Sequence, residues 1–223
     1  YTGSLKDSTV YLCADVDLTG KAVQQMDGAN GRYSGMVMDG QNFTVSNMTI
    51  NGSSQGGLFT RCTQIKEIRN ITFDRASVTS TGINVAVITG QVYNNLVLDN
   101  VDVTNSTITA PYKAAALIGA VYDEQGSVSK TATLRNCDVS GTTVKAKQYD
   151  FGTCGMVAFV YEENGESVVF ENCTISDSFL DVSGITNTSY SLHAWAYYNG
   201  NDAAGCIDEA PGLAVTNSTV ISE

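Results

Sequence analysis

The chain is expected to fold as an all-β protein, a right-handed parallel β-helix (solenoid) of about five or six coils. Three observations carry that expectation. A short phrase returns with variation: VSNMTI at 45–50, IRNITF at 68–73, VLDNVDV at 97–103, TLRNCDV at 133–139, VFENCTI at 169–175 and AVTNSTV at 214–220. Its asparagines, Asn47, Asn70, Asn100, Asn136, Asn172 and Asn217, recur at intervals of 23, 30, 36, 36 and 45 residues, so the corner repeats while the excursions vary. Helical three-to-four spacing is weak throughout, whereas Thr, Ser, Asn and Gly abound and prolines number only 2.

Residues 1–40 read as an N-terminal cap with the first strands, because STVYLCADVDLTG and GANGRYSG depart from the later repeat. Residues 41–223 read as the parallel β-helix with variable loops, forming one domain with the cap. An immunoglobulin-like sandwich is the runner-up, but it does not call for Asn-centred corners along the whole chain.

Within each corner, apolar residues stand two apart, as in Leu96, Leu98, Val101 and Val103, with Asn100 at the change of direction. Asparagine suits a kink because it tolerates a left-handed backbone and hydrogen-bonds locally. The six asparagines are therefore expected to align as a structural ladder, each amide bonding to the next. A second class of strand follows at GGLFT (56–60), VAVITG (85–90), AALIGAV (115–121), GMVAFV (155–160) and HAWAY (193–197); lone glycines such as Gly119 let coils approach closely there. A third class is expected at TVYL, SVTST, TNSTIT, GTTVKA and SFLDVS. Cys137 and Cys173 occupy equivalent repeat positions and are expected to stack as buried thiols.

Composition narrows the function. With 12 basic against 23 acidic residues, net charge −11 and no basic cluster, no nucleic-acid partner is expected. No apolar run reaches the roughly 20 residues of a spanning helix, so direct membrane insertion is not expected either. The 6 cysteines form no CxxC and no ligand-like cluster with the single histidine, His193, so no metal site is expected.

Binding candidates lie where the second strands end, at VYDEQG (121–126), VYEENG (160–165) and AYYNGN (196–201). Tyr122, Tyr161 and either Tyr197 or Tyr198 can align as an aromatic stripe, flanked by Asp123, Glu124, Glu162, Glu163 and Asn164. Aromatic faces stack on the apolar face of a sugar while carboxylates and amides take its hydroxyls. His193 and Trp195 add a local aromatic concentration that can rim a pocket. The bland alternative is that the tyrosines cover the solenoid side and the acids keep its loops soluble.

No cofactor is expected. Calcium is the one ion that the acidic loops, or Asp15 and Asp17, can take, yet neither DEQG nor EENG is a complete calcium loop. Glycoside hydrolysis needs a carboxyl pair about 5 to 9 Å apart, for which Asp123 with Glu162 or Glu124 with Glu163 are available. A lyase would draw on Lys113, Lys145 or Lys147. No catalytic residue is assigned, and the balance leans away from an enzyme.

The segment YSGMVMDGQNFTVSNMTINGSSQGGLF, residues 33–59, resembles the GLUG-motif repeat proteins of bacterial surfaces, with a glycine turn, an Asn-centred corner and a GGLF-like strand. NLVLDNVDVTNSTI, TLRNCDVSGTTV and VVFENCTISDS extend the likeness to residue 178; Thr60 stands where the family phrase commonly has another glycine. The resemblance implies an extracellular or bacterial cell-surface β-helical module, adhesin-like or structural. A host or dietary glycan, or a surface protein, is the expected partner. A polysaccharide hydrolase or lyase on the same scaffold is the alternative.

Overall fold

The computed structural model describes residues 4–28, 31–53, 55–62, 64–122, 130–147, 152–162, 165–183, 185, 193–199 and 205–222. Its strands stack in parallel from coil to coil, as a parallel β-helix requires. The first sheet has ten strands, including Val37–Ser46, Glu67–Asp74 and Leu96–Thr104, and ends at Leu213–Thr216. The second has six, from Thr49–Gly52 to Thr219–Ile221. The third face begins with Met26–Asp27, Phe59–Cys62 and Thr89–Val92 and continues through single bridges, Val92 to Val121 and Val121 to Val160. It closes with Cys206–Ile207, which pairs antiparallel to Tyr197–Asn199.

The corners explain the repeat. All six asparagines have positive φ, between 49° and 59°. A left-handed residue breaks strand alternation, so Leu98 and Val101, on either side of Asn100, both point inward and are fully buried. Yet the asparagines form two columns and not the one ladder expected. Register places Asn70, Asn100, Asn136 and Asn172 above one another, with Gly212 (φ 80°) on the next coil. Asn47 and Asn217 belong to a second corner five residues further on, with Arg75, Asn105, Gly141 and Asp177, all at positive φ. Both corners demand the same left-handed backbone, which the first meets with asparagine on four successive coils and the second with Asn, Arg, Gly or Asp.

Amide bonding is also discontinuous. Asn100 Nδ2 donates to Asn70 Oδ1 at 3.2 Å and Asn172 Nδ2 to Asn136 Oδ1 at 3.0 Å, but Asn136 Nδ2 turns to Asp99 Oδ1 at 3.1 Å. After the second corner, hydroxyls replace amides. Ser106, Thr142 and Ser178 each accept a backbone N–H from the preceding coil and donate to the carbonyl two residues back, which satisfies backbone that the turn removes from the sheet.

The second-class strands lie on the third face as expected. TVYL does not join the second sheet with the other third-class strands. Thr9–Tyr11 pairs with Val37–Asp39 in the first sheet, because Val16–Asp17 after it completes the same rung. Cys137 and Cys173 are free, buried and in register.

Register partners on the first sheet stand 28, 30, 30, 36, 36 and 40 residues apart on successive coils. Two of those residues form the bulge between Asp39 and Phe43. The run from first sheet to second keeps its length, and the larger differences in coil length come after the third-face bridges in the chain, as between Val121 and Thr131.

Candidate functional site

Because Val92, Val121 and Val160 bridge one another, the next residue on each coil, Tyr93, Tyr122 and Tyr161, forms a half-buried aromatic column outside the third face. Tyr122 and Tyr161 meet edge to face at 5.5 Å and 87°. Phe159 stacks on Tyr161 at 6.1 Å and 25°. These rings, with Tyr198, Cys154 and several alanines, form a small apolar cluster of their own outside the main core.

Tyr93 was not among the sequence candidates. Val92-Tyr93-Asn94-Asn95 follows the Val-Tyr-amide/acid pattern of the other strand exits, a signal that was available. Neither Tyr197 nor Tyr198 continues the column. Tyr198 pairs with Phe159 and is fully buried beside it, 6.1 Å between centroids. Tyr197 stacks on Phe170 at 6.5 Å. Asn199 is the register partner of Val160, so the stripe position on that coil falls two residues beyond Tyr198, outside the described residues.

Two cations approach the rings. Arg61 lies 5.9 Å from the Tyr93 centroid and Lys113 Nζ 3.9 Å from that of Phe159. Burial pushes the Lys113 amine down to about 8. Beside Tyr161, Glu162 accepts from the Tyr197 hydroxyl at 2.8 Å and from Asn199 Nδ2 at 2.6 Å. Burial, and then Glu162, push the Tyr197 phenol up to about 12. Asp123, Glu124, Glu163 and Asn164 lie outside the described residues.

His193 pairs with Thr153; His193 Nδ1 and Thr153 Oγ1 are both buried without a hydrogen-bond partner. Trp195 lines a groove of about 620 Å³ at the last coil with Asp208, Glu209, Pro211, Leu213 and Val215, and its backbone N–H donates to Asp208 Oδ1 at 3.1 Å. Asp208 and Glu209 sit in a unique phrase, CIDEAPG, which no repeat points to.

At the other end of the aromatic column, Asp27, Gln55, Thr60, Arg61, Gly82 and Ile83 line an open pocket of about 490 Å³ with both polar and apolar walls. Gln25 Nε2 donates to the backbone carbonyls of Gln55 and Gly57, Gln55 Nε2 donates to Gln91 Oε1, and Gln91 Nε2 donates to the Tyr122 carbonyl at 2.8 Å.

Among the described residues, no three His, Cys, Asp or Glu side chains converge as a metal ion requires. Asp15 accepts the Thr44 N–H at 2.8 Å, and Asp17 accepts from Asn47 and Thr19, so both serve as corner acceptors. Lys145 pairs with Asp181 on the next coil. Among the described residues, no helix is long and apolar enough to cross a membrane.

No family model and no curated protein matches the chain. Among solved structures it is similar to a Bacteroides ovatus protein described as a candidate immunoglobulin A1 protease. The identity is 15%, the TM-score 0.56, and the match covers 97% of this chain and 79% of that one. At that identity the likeness carries the fold.

Proposed function

We propose that the chain is a non-enzymatic, extracellular β-helical module, akin to the GLUG-motif surface proteins, whose aromatic and acidic flank binds glycans. The observation that supports this most is the in-register column Tyr93, Tyr122 and Tyr161. Three half-buried rings with Glu162 and Asn94 alongside offer a sugar chain both apolar faces and hydroxyl acceptors. The similar protein's bacterial source and its description fit a module that works outside the cell. Both Glu162 oxygens already accept hydrogen bonds, so the geometry favours positioning over acid–base chemistry.

The test is a broad glycan array probed with folded protein, with calcium and then with a chelator, beside Tyr122→Ala and Tyr161→Ala. Saturable binding to related glycans, weakened about tenfold or more by either substitution, is expected. A clean negative from folded protein would leave a structural spacer, and new sugar ends released from a polysaccharide would leave the hydrolase or lyase alternative.

A further inference from the structure

We infer that the pocket beside Gln55 and Arg61 is a subsite for a single neutral pyranose ring, which anchors one end of a sugar chain running over the tyrosine column. This rests on the glycan reading of that flank. The argument starts from an amide network whose polarity is fixed. The Tyr122 backbone carbonyl can only accept, so Gln91 must turn Nε2 toward it, at 2.8 Å. Its Oε1 is then the acceptor that Asn84 Nδ2, at 3.3 Å, and Gln55 Nε2 both use. Flipping either amide would set two carbonyl oxygens against each other.

The consequence is two orphaned acceptors. Gln55 Oε1 and Asn84 Oδ1 are buried and receive no hydrogen bond. Unmet acceptors of this kind are costly and call for a donor. Gln55 lines the 490 Å³ pocket, and Asn84 directly follows its lining residues Gly82 and Ile83. The volume suits a small ligand. Gly90 holds the wall together: a Cβ there would fall 2.7 Å from the Asn84 carbonyl, 2.8 Å from Gln55 Cβ and 2.9 Å from the Thr60 carbonyl.

Charge selects the ligand class. Gln55 and the Asp27 carboxylate bring acceptors to the lining, with Asn84 in the layer behind Gln55, which disfavours a sugar carboxylate. Arg61 beside them disfavours a metal ion or an ammonium group. A neutral ring with several hydroxyl donors satisfies both conditions. Because Arg61 also lies over Tyr93, and Gln91 bonds the Tyr122 backbone, the pocket opens the same track that the tyrosines continue.

The experiment is titration calorimetry of the folded protein with the tightest neutral and the tightest uronate- or sialate-bearing oligosaccharide from the array, using wild type, Gln55→Met, Asp27→Asn and Tyr161→Ala. Asp27 is exposed, so its variant decides the matter if Gln55→Met does not fold. About tenfold weaker binding of the neutral glycan is expected for each substitution. If Tyr161→Ala weakens neutral binding while Gln55→Met and Asp27→Asn leave it unchanged, the subsite is overturned and the glycan-binding flank stands. Binding of acidic glycans alone overturns the subsite as well, and no binding at all removes both.

Discussion

An asparagine at a solenoid corner does two jobs that a different residue would have to divide. It accepts a left-handed backbone, at φ 56° for Asn100, which costs most other residues about 1–2 kcal/mol. It also donates to Asn70 Oδ1 and Asn42 Oδ1, at 3.2 and 3.1 Å. Asn100→Ala is therefore expected to cost about 2–3 kcal/mol, and Asn100→Gly about 1 kcal/mol because it keeps the backbone freedom. Urea midpoints of the two variants measure the separation, and equal losses would assign the whole effect to the amide. The column ends in Gly212 for a steric reason, since a Cβ there would lie 2.0 Å from the Phe170 carbonyl. Corner residues were readable from sequence because few side chains tolerate that backbone. Their division into two columns was not, because the two corners are only five residues apart and asparagine occurs in both, while Arg75, Gly141 and Asp177 hide the second one.

Strands of the third face are held together by what they lack. At Gly119 a Cβ would come within 2.4 Å of the Asn84 carbonyl carbon and 2.5 Å of the Gly90 carbonyl oxygen, both backbone atoms of the coil before. Gly119→Ala is expected to destabilise by about 1–3 kcal/mol through forced separation of the coils. A thermal melt indistinguishable from wild type would show that the coils part there without penalty. The strand positions on this face were legible because their apolar runs recur. The aromatic register was only partly so: Tyr93 carries amides where the later exits carry acids, and on the last coil the partner of Val160 is Asn199, so the Tyr-Tyr phrase precedes the stripe position. The Gln25, Gln55 and Gln91 network had no sequence signal, since it joins coils about 30 residues apart through unlike phrases.

Across the whole molecule, aspartates brace successive coils. Hydrogen bonds from Asn47 and Thr19 hold Asp17 at about 2. Burial raises Asp39, but donors from Gln41, Asn70 and Arg69 outweigh it and bring its carboxyl down to about 2. Asp74 is lowered chiefly by Asn105, and Asp181 is lowered by Lys145 and Ser183 against the opposing effect of burial. A carboxyl depressed in the folded state stabilises it above the unfolded value of 3.8, and that contribution is lost as pH falls toward 2. Among the described residues Asp102, raised by burial, acts in the opposite sense. The melting temperature is thus expected to fall between about pH 4 and pH 2, with Asp39→Asn less stable at neutral pH and less sensitive to acid. A flat profile would contradict coil bracing by carboxylates. The constant run from first sheet to second has a consequence of another kind. It fixes the register of the stack independently of whatever length of chain is spliced between Val121 and Thr131, so foreign peptides can be grafted into that connection, and new specificities can evolve there, while the scaffold keeps its gauge.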